Sequence, residues 1–553
     1  MAFQLSPGVN ISEVDLTTVV PSVATTVGGI AGEFSWGPAN TIVTISNEVQ
    51  LVDRFGRPDS NSANAFFTAA NFLAYGSDLK VVRAVGGGAL NSSVAGSPVL
   101  IENEDDYIQN HSANTSAVFH GKYAGSLGNS IRVSMADANT FSGWAYAGDF
   151  DSTPATSTWA STRSSTNDEL HIVVIDATGK LTGTANTVIE KFGYVSKASD
   201  AKNSDGSSNY YKDVINNKSK WLWWGGHLAA NWGTDSAGAV SYTQMVANLT
   251  STLTGGADAS PNAGQINNGY SQFANADSTD VSLLMAGATN GTTVPNYLIA
   301  LAESRKDCLI FVSPDREDVV DNYGDEATDV AAAAAALTKS SYAVMDSGYK
   351  YQYDKYNDIY RWVPLNGDIA GLCVRTDNER DPWFSPAGLN RGVIKNVVKL
   401  AWNPSKAERD SIYKAGVNPV VTFPGEGTIL YGDKTLLNRP SAFDRINVRR
   451  LFIVLEKSIA KAARSSLFEF NDEFTRAAFV NIVEPYLREV QGRRGIFDYR
   501  VVCDTTNNTP EVIDQNQFVG DIYIKPARSI NFIQLNFTAV RTGVEFEEIV
   551  GRV

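Results

Sequence analysis

Both ends of this chain carry short strand-like segments that have no obvious partner nearby in the sequence. Near the N-terminus, Val9 and Ile11 alternate with small or polar residues; near the C-terminus, Val544 and Phe546 alternate with glutamates and precede Ile549. A lone strand leaves a row of backbone N–H and C=O groups that must pair at a sheet edge. The ends therefore pair within their own domain, fray, or add strands to another copy, which would make the chain a polymer subunit.

The length of 553 residues predicts roughly two to five domains. Apolar residues make up 43% of the chain, which is enough for ordinary hydrophobic cores. Charged residues make up only 19%, below the ~25% that is usual for soluble proteins. This deficit fits a surface that is largely covered by neighbouring molecules, and it fits equally well a surface rich in Ser, Thr and Asn.

The excess negative charge is confined to one part of the chain. The net charge is −14, yet the segment from Ser441 to Val553 contains 15 basic and 15 acidic residues, so all the excess acid lies before Ser441. Because neutralising phosphates requires a basic stripe, we expect no direct binding of nucleic acid. The neutral C-terminal part, with its local basic clusters, suits an acidic protein partner.

The cysteines and the apolar runs bear on the compartment of the protein. Cys308, Cys373 and Cys503 lie far apart in apolar runs, so we predict buried free thiols in a reducing compartment. The N-terminus lacks the basic and apolar regions of a signal peptide. No apolar run approaches the ~20 residues of a membrane helix, so we expect no membrane insertion.

Two stretches of the chain have α/β character. Within residues 22–95, a strand near Thr41 is followed by a helix from Asn64 to Tyr75 and a strand from Leu79. Within residues 271–380, the spacing of apolar strands and helices is that of a βαβ unit, and an Ala-rich packed helix follows. These stretches together predict an α/β core.

The segment between these stretches differs in composition. From about Gly86 the chain is rich in Ser, Thr, Asn, Gly and Asp, and strand patterns recur as islands, for example from Glu169 to Asp176. An aromatic cluster that contains Trp221, Trp223 and Trp224 lies within it. We therefore predict a β-rich insertion with long loops on an exposed face.

The C-terminal part reads as helices followed by strands. Val448, Leu455 and Ile459 fall on one face of a helix that begins near Asp444. A second helix is predicted to begin after Asn471, which can cap it, and to end or kink at Pro485. The tail beyond Ile530 has strand character. Its apolar residues change from one face of the strand to the other at Phe532 and Ile533, which predicts a bulge there.

These patterns predict an α/β and α+β multidomain fold with an α/β core, β-rich inserted outer domains and extended terminal strand arms. The predicted boundaries are 1–21 for the N-terminal arm, 22–95 for the first part of the α/β core, 96–270 for the outer insertion, 271–380 for the second part of the core, 381–530 for a C-terminal α+β inner domain, and 531–553 for the C-terminal strand arm.

One segment nearly matches a phosphate-binding loop. Residues 427–435 read Gly-Thr-Ile-Leu-Tyr-Gly-Asp-Lys-Thr, so Asp433 separates Gly432 from Lys434. The loop works because backbone N–H groups wrap the phosphate and the lysine directly follows the glycine. An inserted carboxylate places negative charge where the phosphate would lie, and residues 428–431 have strand character. We therefore expect no nucleotide site here.

No pattern marks a catalytic or metal site. Each of the four histidines lacks a second His or a Cys at metal-ligand spacing. Glu169 and His171 project from one face of a predicted strand, which indicates a solvated polar face rather than a metal site. No Gly-x-Ser-x-Gly nucleophile elbow is present. We predict that the chain is not an enzyme and uses no cofactor or metal, and an α/β enzyme with an unrecognised site is the remote alternative.

Many motifs, in one order along the chain, resemble the tail sheath protein family of contractile-tailed, myovirus-type bacteriophages. The resemblance is strong over residues 1–95 and 340–553 and looser in the insertion. The motifs that carry it are Ser6–Glu13, Phe34–Asn40, Trp383–Gly392, Gly416–Pro419, Phe423–Gly427, Gly432–Leu436, Ser441–Phe452, Phe468–Glu473, Asn507–Pro510 and Ile524–Arg528.

The resemblance implies a structural subunit of a contractile tail sheath. Such a subunit forms a helical homo-polymer of stacked hexameric rings around the tail tube, and it contracts to drive the tube through the host envelope. The implied partners are other copies of the chain, the tail tube, the baseplate and the tail terminator or neck proteins. The implied locations are the tail of the virion and, during assembly, the host cytoplasm.

In this family the terminal arms add strands to a sheet of a neighbouring subunit, which would explain the unpartnered ends. The expected arm residues are Val9, Ile11, Val14, Val544, Phe546 and Ile549. A tube-facing role is predicted for basic residues that recur on the C-terminal helices: Arg449, Arg450, Lys457, Lys461 and Arg464. The alternative to a phage sheath is the sheath of a phage-derived bacteriocin or extracellular injection system.

Overall fold

A computed structural model describes residues 20, 23–113, 117–437, 439–531 and 534. The chain divides into two compact units, Met1–Glu469 and Phe470–Val553, which we describe separately. The arm residues Val9, Ile11, Val14, Val544, Phe546 and Ile549 lie outside the described residues.

The strands of the first unit are numbered in chain order. They are β1 (Gly28–Gly32), β2 (Ile42–Ile45), β3 (Leu79–Arg83), β4 (Ser93–Val94), β5 (Phe119–Gly121), β6 (Ile131–Asp137), β7 (Glu169–Asp176), β8 (Thr187–Ser196), β9 (Leu222–Trp224), β10 (Leu249–Thr252), β11 (Leu283–Met285), β12 (Leu309–Val312), β13 (Ala343–Asp346), β14 (Tyr349–Asp354), β15 (Ile359–Pro364), β16 (Lys399–Leu400), β17 (Val417–Asn418), β18 (Val420–Phe423) and β19 (Gly427–Leu430).

The helices of the same unit are α1 (Glu48–Phe55), α2 (Ala63–Leu73), α3 (Glu104–Asp106), α4 (Thr158–Ser161), α5 (Tyr211–Lys218), α6 (Ala263–Ser271), α7 (Thr293–Arg305), α8 (Glu326–Ala336), α9 (Asn366–Glu379), α10 (Lys406–Ala415) and α11 (Ile446–Ala463).

A seven-stranded sheet forms the centre of the first unit, in the order β17-β13-β12-β11-β1-β3-β2. All neighbouring pairs are parallel except β2 with β3. Along the chain, the sheet grows from β1 towards β3 on one side and from β11 towards β17 on the other. The direction of winding therefore reverses between β1 and β11, which makes this pair the topological switch point of the sheet.

The central strand β1 is buried along its length and is rich in glycine. A Cβ atom on Gly28 would lie 2.5 Å from the ring of Phe72, and one on Gly32 would lie 2.7 Å from Ala65 Cβ. Both contacts come from α2, so the missing side chains let this helix pack directly on the strand backbone. Buried apolar residues of α2 and α9 complete the core on that face of the sheet.

The predicted α/β segments are confirmed. The strand near Thr41 is β2, the helix from Asn64 is α2, and the strand from Leu79 is β3. The βαβ unit is formed by β11, α7 and β12, and the Ala-rich helix is α8. The sheet joins residues from the predicted segments 22–95 and 271–380, although they are far apart in the sequence.

Residues between β3 and β11 build two further sheets, in the orders β10-β6-β7-β8 and β4-β5-β9. The leaving and returning segments of the chain are paired side by side: the N–H groups of Leu90 and Ala257 each donate 3.0 Å to the other's carbonyl. Within this region, Trp223 stacks on Tyr107 with ring centroids 4.3 Å apart. The boundary predicted at residue 270 falls inside α6, whose Tyr270 is fully buried in the core beside the central sheet.

Charged groups are also buried within the core of the first unit. Lys350 Nζ lies 2.9 Å from Asp368, and both side chains are almost completely buried. Nearby, Asp346 accepts hydrogen bonds from Ser313 Oγ at 2.8 Å and from the Gly348 N–H at 2.9 Å. Burial, as the dominant cause, raises the pKa of the Asp346 carboxyl to about 8. This group is therefore mostly protonated at neutral pH.

The second unit contains α12 (Glu473–Gly492), β20 (Ile496–Val502), α13 (Pro510–Asp514) and β21 (Asp521–Pro526). The predicted cap of α12 is off by one residue, because the carboxylate of Asp472 accepts the hydrogen bond from the Thr475 N–H. α12 does not end at Pro485, as one of the two predicted outcomes had it, but continues to Gly492. Pro485 is exposed, so the carbonyl of Asn481 that loses its N–H partner can be hydrated.

Cys308, Cys373 and Cys503 are buried free thiols, as the sequence predicts. Burial raises the pKa of both the Cys308 and the Cys373 thiol to about 12, so these two groups stay protonated. Among the described residues, no helix combines the length and the apolar character that crossing a bilayer requires.

Candidate interaction surfaces

The second unit presents a small sheet with open edges. β20 and β21 pair only with each other among the described residues, in an antiparallel register that includes Tyr499 with Ile524 and Val501 with Ile522. A two-stranded sheet is marginally stable alone, and each outer edge leaves backbone N–H and C=O groups without strand partners. This sheet is therefore a candidate acceptor for an added strand.

One face of this sheet is held by α12. Tyr499, Ile522 and Ile524 are half-buried, and the Tyr499 hydroxyl donates 3.3 Å to the carbonyl of Glu484 in α12. Phe479 of the same helix packs on Phe518 with ring centroids 5.4 Å apart. These contacts fix the sheet to the helix while leaving both of its edges open.

The opposite face and the flanking segments expose large apolar side chains. A register shift between Ile496 and Asp498 places Phe497 in a bulge, with 71% of its surface exposed. Tyr523 is 61% exposed, and an exposed ion pair joins Lys525 and Asp498 at 2.9 Å on the same face. Further exposed apolar residues of this unit are Phe470, Phe474 and Ile530. Phe470, Phe474 and Ile530 each have polar or charged neighbours in the sequence, so no local apolar pattern marked them as a surface.

The structure contradicts a surface role for Arg449 and Arg450. Both lie in α11 and are buried, with 6% and 3% of their surface exposed. Arg450 forms an ion pair with Asp377, whose carboxylate also accepts a hydrogen bond from Thr25 Oγ1 at 2.6 Å. The prediction that these two arginines face a partner is therefore corrected: within the described chain they are internal.

Arg449 is enclosed by aromatic rings. Its guanidinium lies 3.9 Å from the ring centroid of Phe443 and 4.2 Å from that of Tyr342, and Nη2 donates 2.6 Å to Ser341 Oγ. Burial lowers the pKa of Arg449. These cation–π contacts compensate part of the cost of removing the charge from water.

The other three basic residues of the predicted set lie further along the chain. Lys457 contacts Asp280 in an ion pair, and its side chain is only 18% exposed. Arg464 forms an ion pair with Asp277 at 3.0 Å, with 68% of its side chain exposed. Lys461 is exposed and has no ion-pair partner in the part of the chain that the structure describes. Lys461 and Arg464 are thus the members of the set that solvent reaches.

The near-match to a phosphate-binding loop is a structural segment. Its first part is strand β19, which pairs with β18. The Lys434 ammonium donates 2.7 Å to the Tyr413 carbonyl, and the Lys434 N–H donates 2.7 Å to Asn418 Oδ1. Asp433 is buried and accepts a hydrogen bond from Ser385 Oγ at 3.1 Å. The lysine that a phosphate would need is therefore held by the protein itself.

The prediction that His171 lies on a solvated face is wrong, because its side chain is fully buried. Its ring stacks on Phe150 with centroids 4.1 Å apart, and its Nδ1 accepts a hydrogen bond from the Tyr194 N–H at 3.0 Å. Burial lowers the pKa of His171, which fits this neutral, acceptor role. Among the described residues, no three His, Cys, Asp or Glu side chains are grouped to hold a metal ion.

Three family models match successive parts of the chain. Residues 25–84 match the N-terminal region of domain III of the tail sheath protein Gp18, residues 264–436 match the phage tail sheath central domain, and residues 438–539 match the phage tail sheath C-terminal domain. The residues between 84 and 264, which include the two additional sheets, lie outside these matches.

Two curated relatives match the chain over its whole length. The tail sheath protein of Enterobacteria phage T4 is 34% identical over 668 aligned positions, which cover 99% of this chain and 99% of the relative. The tail sheath protein of Vibrio phage KVP40 is 33% identical over 691 positions, covering 99% of this chain and 100% of the relative.

The fold is similar to that of solved sheath proteins. The crystal structure of the sheath tail protein from Listeria innocua superposes with a TM-score of 0.53 at 11% identity, covering 92% of this chain and 97% of that protein. At this level of identity the similarity concerns the fold alone. It agrees with the predicted mixture of α/β and α+β elements.

Proposed function

Since this chain belongs to the tail sheath proteins of contractile-tailed bacteriophages, we propose that it polymerises as stacked hexameric rings around a tail tube and that its terminal arms link the rings by strand addition. As a tail sheath protein it is a component of the virion tail. The observation that carries the proposal is the β20–β21 sheet, which has open edges in the same chain that has unpartnered strand patterns at both ends.

Strand addition suits a sheath that has to change shape. Main-chain hydrogen bonds between an arm and a neighbour's sheet hold two subunits together regardless of the angle between their cores. In this proposal the closely packed core around the central sheet, with its buried ion pairs, rotates as one body. The subunits can then repack during contraction while the arms keep them connected.

Removal of residues 1–16 tests the role of the N-terminal arm. We expect a folded, soluble subunit that no longer forms stable sheath, as seen by sedimentation and negative-stain microscopy. Tubes of normal length from the truncated protein would contradict the proposal.

Point substitutions give a matched control for this truncation. Val9→Lys with Ile11→Lys places two charges on the apolar face of the predicted strand. Asn10→Lys with Ser12→Lys adds the same charge on its polar face. Because successive strand residues face opposite sides, the first pair should impair assembly far more than the second. Equal effects of both pairs would show that charge, and not strand packing, is responsible.

We further propose that the exposed C-terminal end of α11, with Lys461, and Arg464 immediately after it face the tail tube. In this proposal the remaining partners are the baseplate and the neck proteins, and assembly takes place in the host cytoplasm. No nucleotide is consumed; energy stored in the assembled lattice is released as subunits form new contacts. The full-length similarity to phage proteins favours a phage sheath over that of an injection system.

A further inference from the structure

A large crevice opens at the topological switch point of the central sheet, and the proposed function makes no use of it. Its volume is about 610 Å³, and it lies beyond the carboxyl ends of β1, β11 and β12. In open α/β sheets, ligands bind at this position because the loops diverge there and leave a gap. The volume is also within the range of small-molecule sites.

The Tyr349 hydroxyl is a buried polar group without a partner at this crevice. Tyr349 lines the cavity and is 1% exposed, yet its hydroxyl forms no hydrogen bond with any described residue. A buried hydroxyl without a partner costs free energy, since it has given up its hydrogen bonds to water. A ligand in the crevice would restore the missing bond.

The helix ends around the crevice are already occupied by side chains of the protein. Asp59 accepts hydrogen bonds at 2.8 Å from the Ser62 N–H and at 2.9 Å from the Asn61 N–H, at the start of α2. Asn262 forms a capping box at the start of α6. Asp315 accepts a hydrogen bond at 2.7 Å from the Gly291 N–H, just before α7. The positions where a phosphate would bind are therefore filled.

The charge of the lining favours a cation. Four carboxylates, those of Glu33, Asp315, Glu317 and Asp318, line the crevice with a single guanidinium, that of Arg316. Burial first, and then the charge of Asp315, raises the pKa of Asp318 to about 6. Repulsion between these carboxylates would be relieved by a positive ligand.

Part of the lining is apolar and favours an organic cation over a metal ion. Ile30, Ala65, Ile266 and Val294 contribute alkyl surface to the lining. A metal ion would leave this surface and most of the volume unused, and the carboxylates are not grouped as metal ligands among the described residues. An alkyl chain that ends in an ammonium or guanidinium group matches both the apolar wall and the acidic rim.

We propose that this crevice binds an alkyl cation, with its charged group at Asp318 and Glu317, its chain along Ile30 and Ile266, and a polar atom within reach of the Tyr349 hydroxyl. This chemistry has two sources: a free aliphatic amine, or the lysine or arginine side chain of another polypeptide. The inference does not depend on the arrangement of subunits in the sheath.

Calorimetric titration of the full-length chain at low protein concentration tests the site. Spermidine is the probe for a free amine, and Nα-acetyl-lysine amide is the probe for a protein side chain. We expect one of them to bind at a single site, and the tighter of the two identifies the source. Tighter binding of inorganic phosphate or Mg²⁺, or no heat from either amine up to about 10 mM, would overturn the proposal.

Substitutions locate the binding. Glu317→Gln removes an exposed charge from the rim and should weaken binding by about fivefold, whereas Glu303→Gln on the exposed side of α7 should leave it unchanged. Equal affinities for these two variants would place the amine elsewhere.

Tyr349→Phe provides the sharpest test. Because the hydroxyl has no partner, its removal should leave the melting temperature of the free protein unchanged or higher, and yet weaken amine binding by about fivefold. A lower melting temperature of the free variant would show that the hydroxyl is bonded within the protein. Unchanged amine affinity would show that the ligand does not reach it. Either result refutes the site as described.

Discussion

The guanidinium Nη2 of Arg450 lies 2.5 Å from Asp377 Oδ2, and the two side chains are only 4% and 5% exposed. This pair joins α11 to α9 inside the first unit. An ion pair so placed contributes little by its presence alone, since both charges were removed from water. Loss of one partner is costly, however, because it leaves the other charge buried and uncompensated.

Arg450→Met should therefore destabilise the subunit by about 3–5 kcal/mol in denaturant unfolding. Arg464→Met is the matched control, because its ion pair with Asp277 is exposed and should change stability by at most about 1 kcal/mol. Arg450→Met combined with Asp377→Leu should be less destabilised than Arg450→Met alone, since no charge remains buried. Equal losses for Arg450→Met and Arg464→Met would contradict this account.

Asp346 should make stability depend on pH. Its pKa is about 8 in the folded chain and about 3.9 when unfolded, so the folded state binds more protons between these values. The contribution of this group to stability therefore falls as the pH rises from about 4 to 8. Asp346→Asn removes this dependence.

The measurement is the difference in melting temperature between Asp346→Asn and the wild type across this pH range. It should increase with pH and level off above about pH 8. The size of the difference at low pH reflects the changed hydrogen bond to Ser313 and does not test the prediction. If the difference does not change with pH, or if it decreases as the pH rises, the pKa of the Asp346 carboxyl is not raised in the folded chain.

Reversing the charge of Lys461 and Arg464 should weaken docking on the tail tube more than contact between sheath subunits. The basis is that these residues are exposed and follow the strongly acidic part of the chain. The effect should diminish with added salt, because exposed charges are screened over ~10 Å at ~0.1 M. Lys406→Glu is the control, because Lys406 is exposed at the start of α10.

Co-assembly with purified tube over a salt series provides the readout. Lys461→Glu with Arg464→Glu should reduce the fraction of sheathed tubes at low salt. If the double variant sheathes tubes as well as the wild type, or if it fails equally to polymerise without tubes, α11 does not face the tube.

The pairing of Leu90 with Ala257 predicts where the outer insertion can be removed. Deleting 91–256 and joining these two residues by a short glycine–serine turn should leave a cooperatively melting core. In the shortened chain Arg83 loses the Ala124 carbonyl but keeps those of Phe34 and Gly37.

Deletion of 97–270 is the contrasting variant. It removes most of α6, including Tyr270, whose hydroxyl donates 2.6 Å to the Met285 carbonyl in the core. This variant should lose its cooperative melt in circular dichroism. Retention of the melt by both variants would show that α6 is dispensable, and loss by both would show that the insertion is integral to the core.

The sequence was most informative where local pattern and tertiary burial agree. Strands such as β12 stand out because every residue from Leu309 to Val312 is apolar and buried. The central strand β1 escaped sequence analysis, since its glycines carry no strand signal and are explained only by the approach of Phe72 and Ala65.

For two basic residues of α11, the sequence pattern led to a wrong prediction of exposure. Charge and helical spacing placed Arg449 and Arg450 on the surface, whereas their partners Ser341 and Asp377 lie far away in the sequence. Periodicity within a helix carries no information about such distant neighbours. The crevice at the switch point was equally invisible, because its walls come from loops that follow separate strands.

The order of strands in the central sheet also sets the order of events during synthesis. β1 pairs with β3 on one side, but its other neighbour, β11, begins only at Leu283. At ~5–20 residues per second, β1 waits on the order of 10 to 50 s for that partner to leave the ribosome. The insertion, whose strands are nearer to one another in sequence, can fold during this delay. The nascent chain therefore carries an open, apolar sheet edge for much of its synthesis, and early chaperone contact should fall on β1.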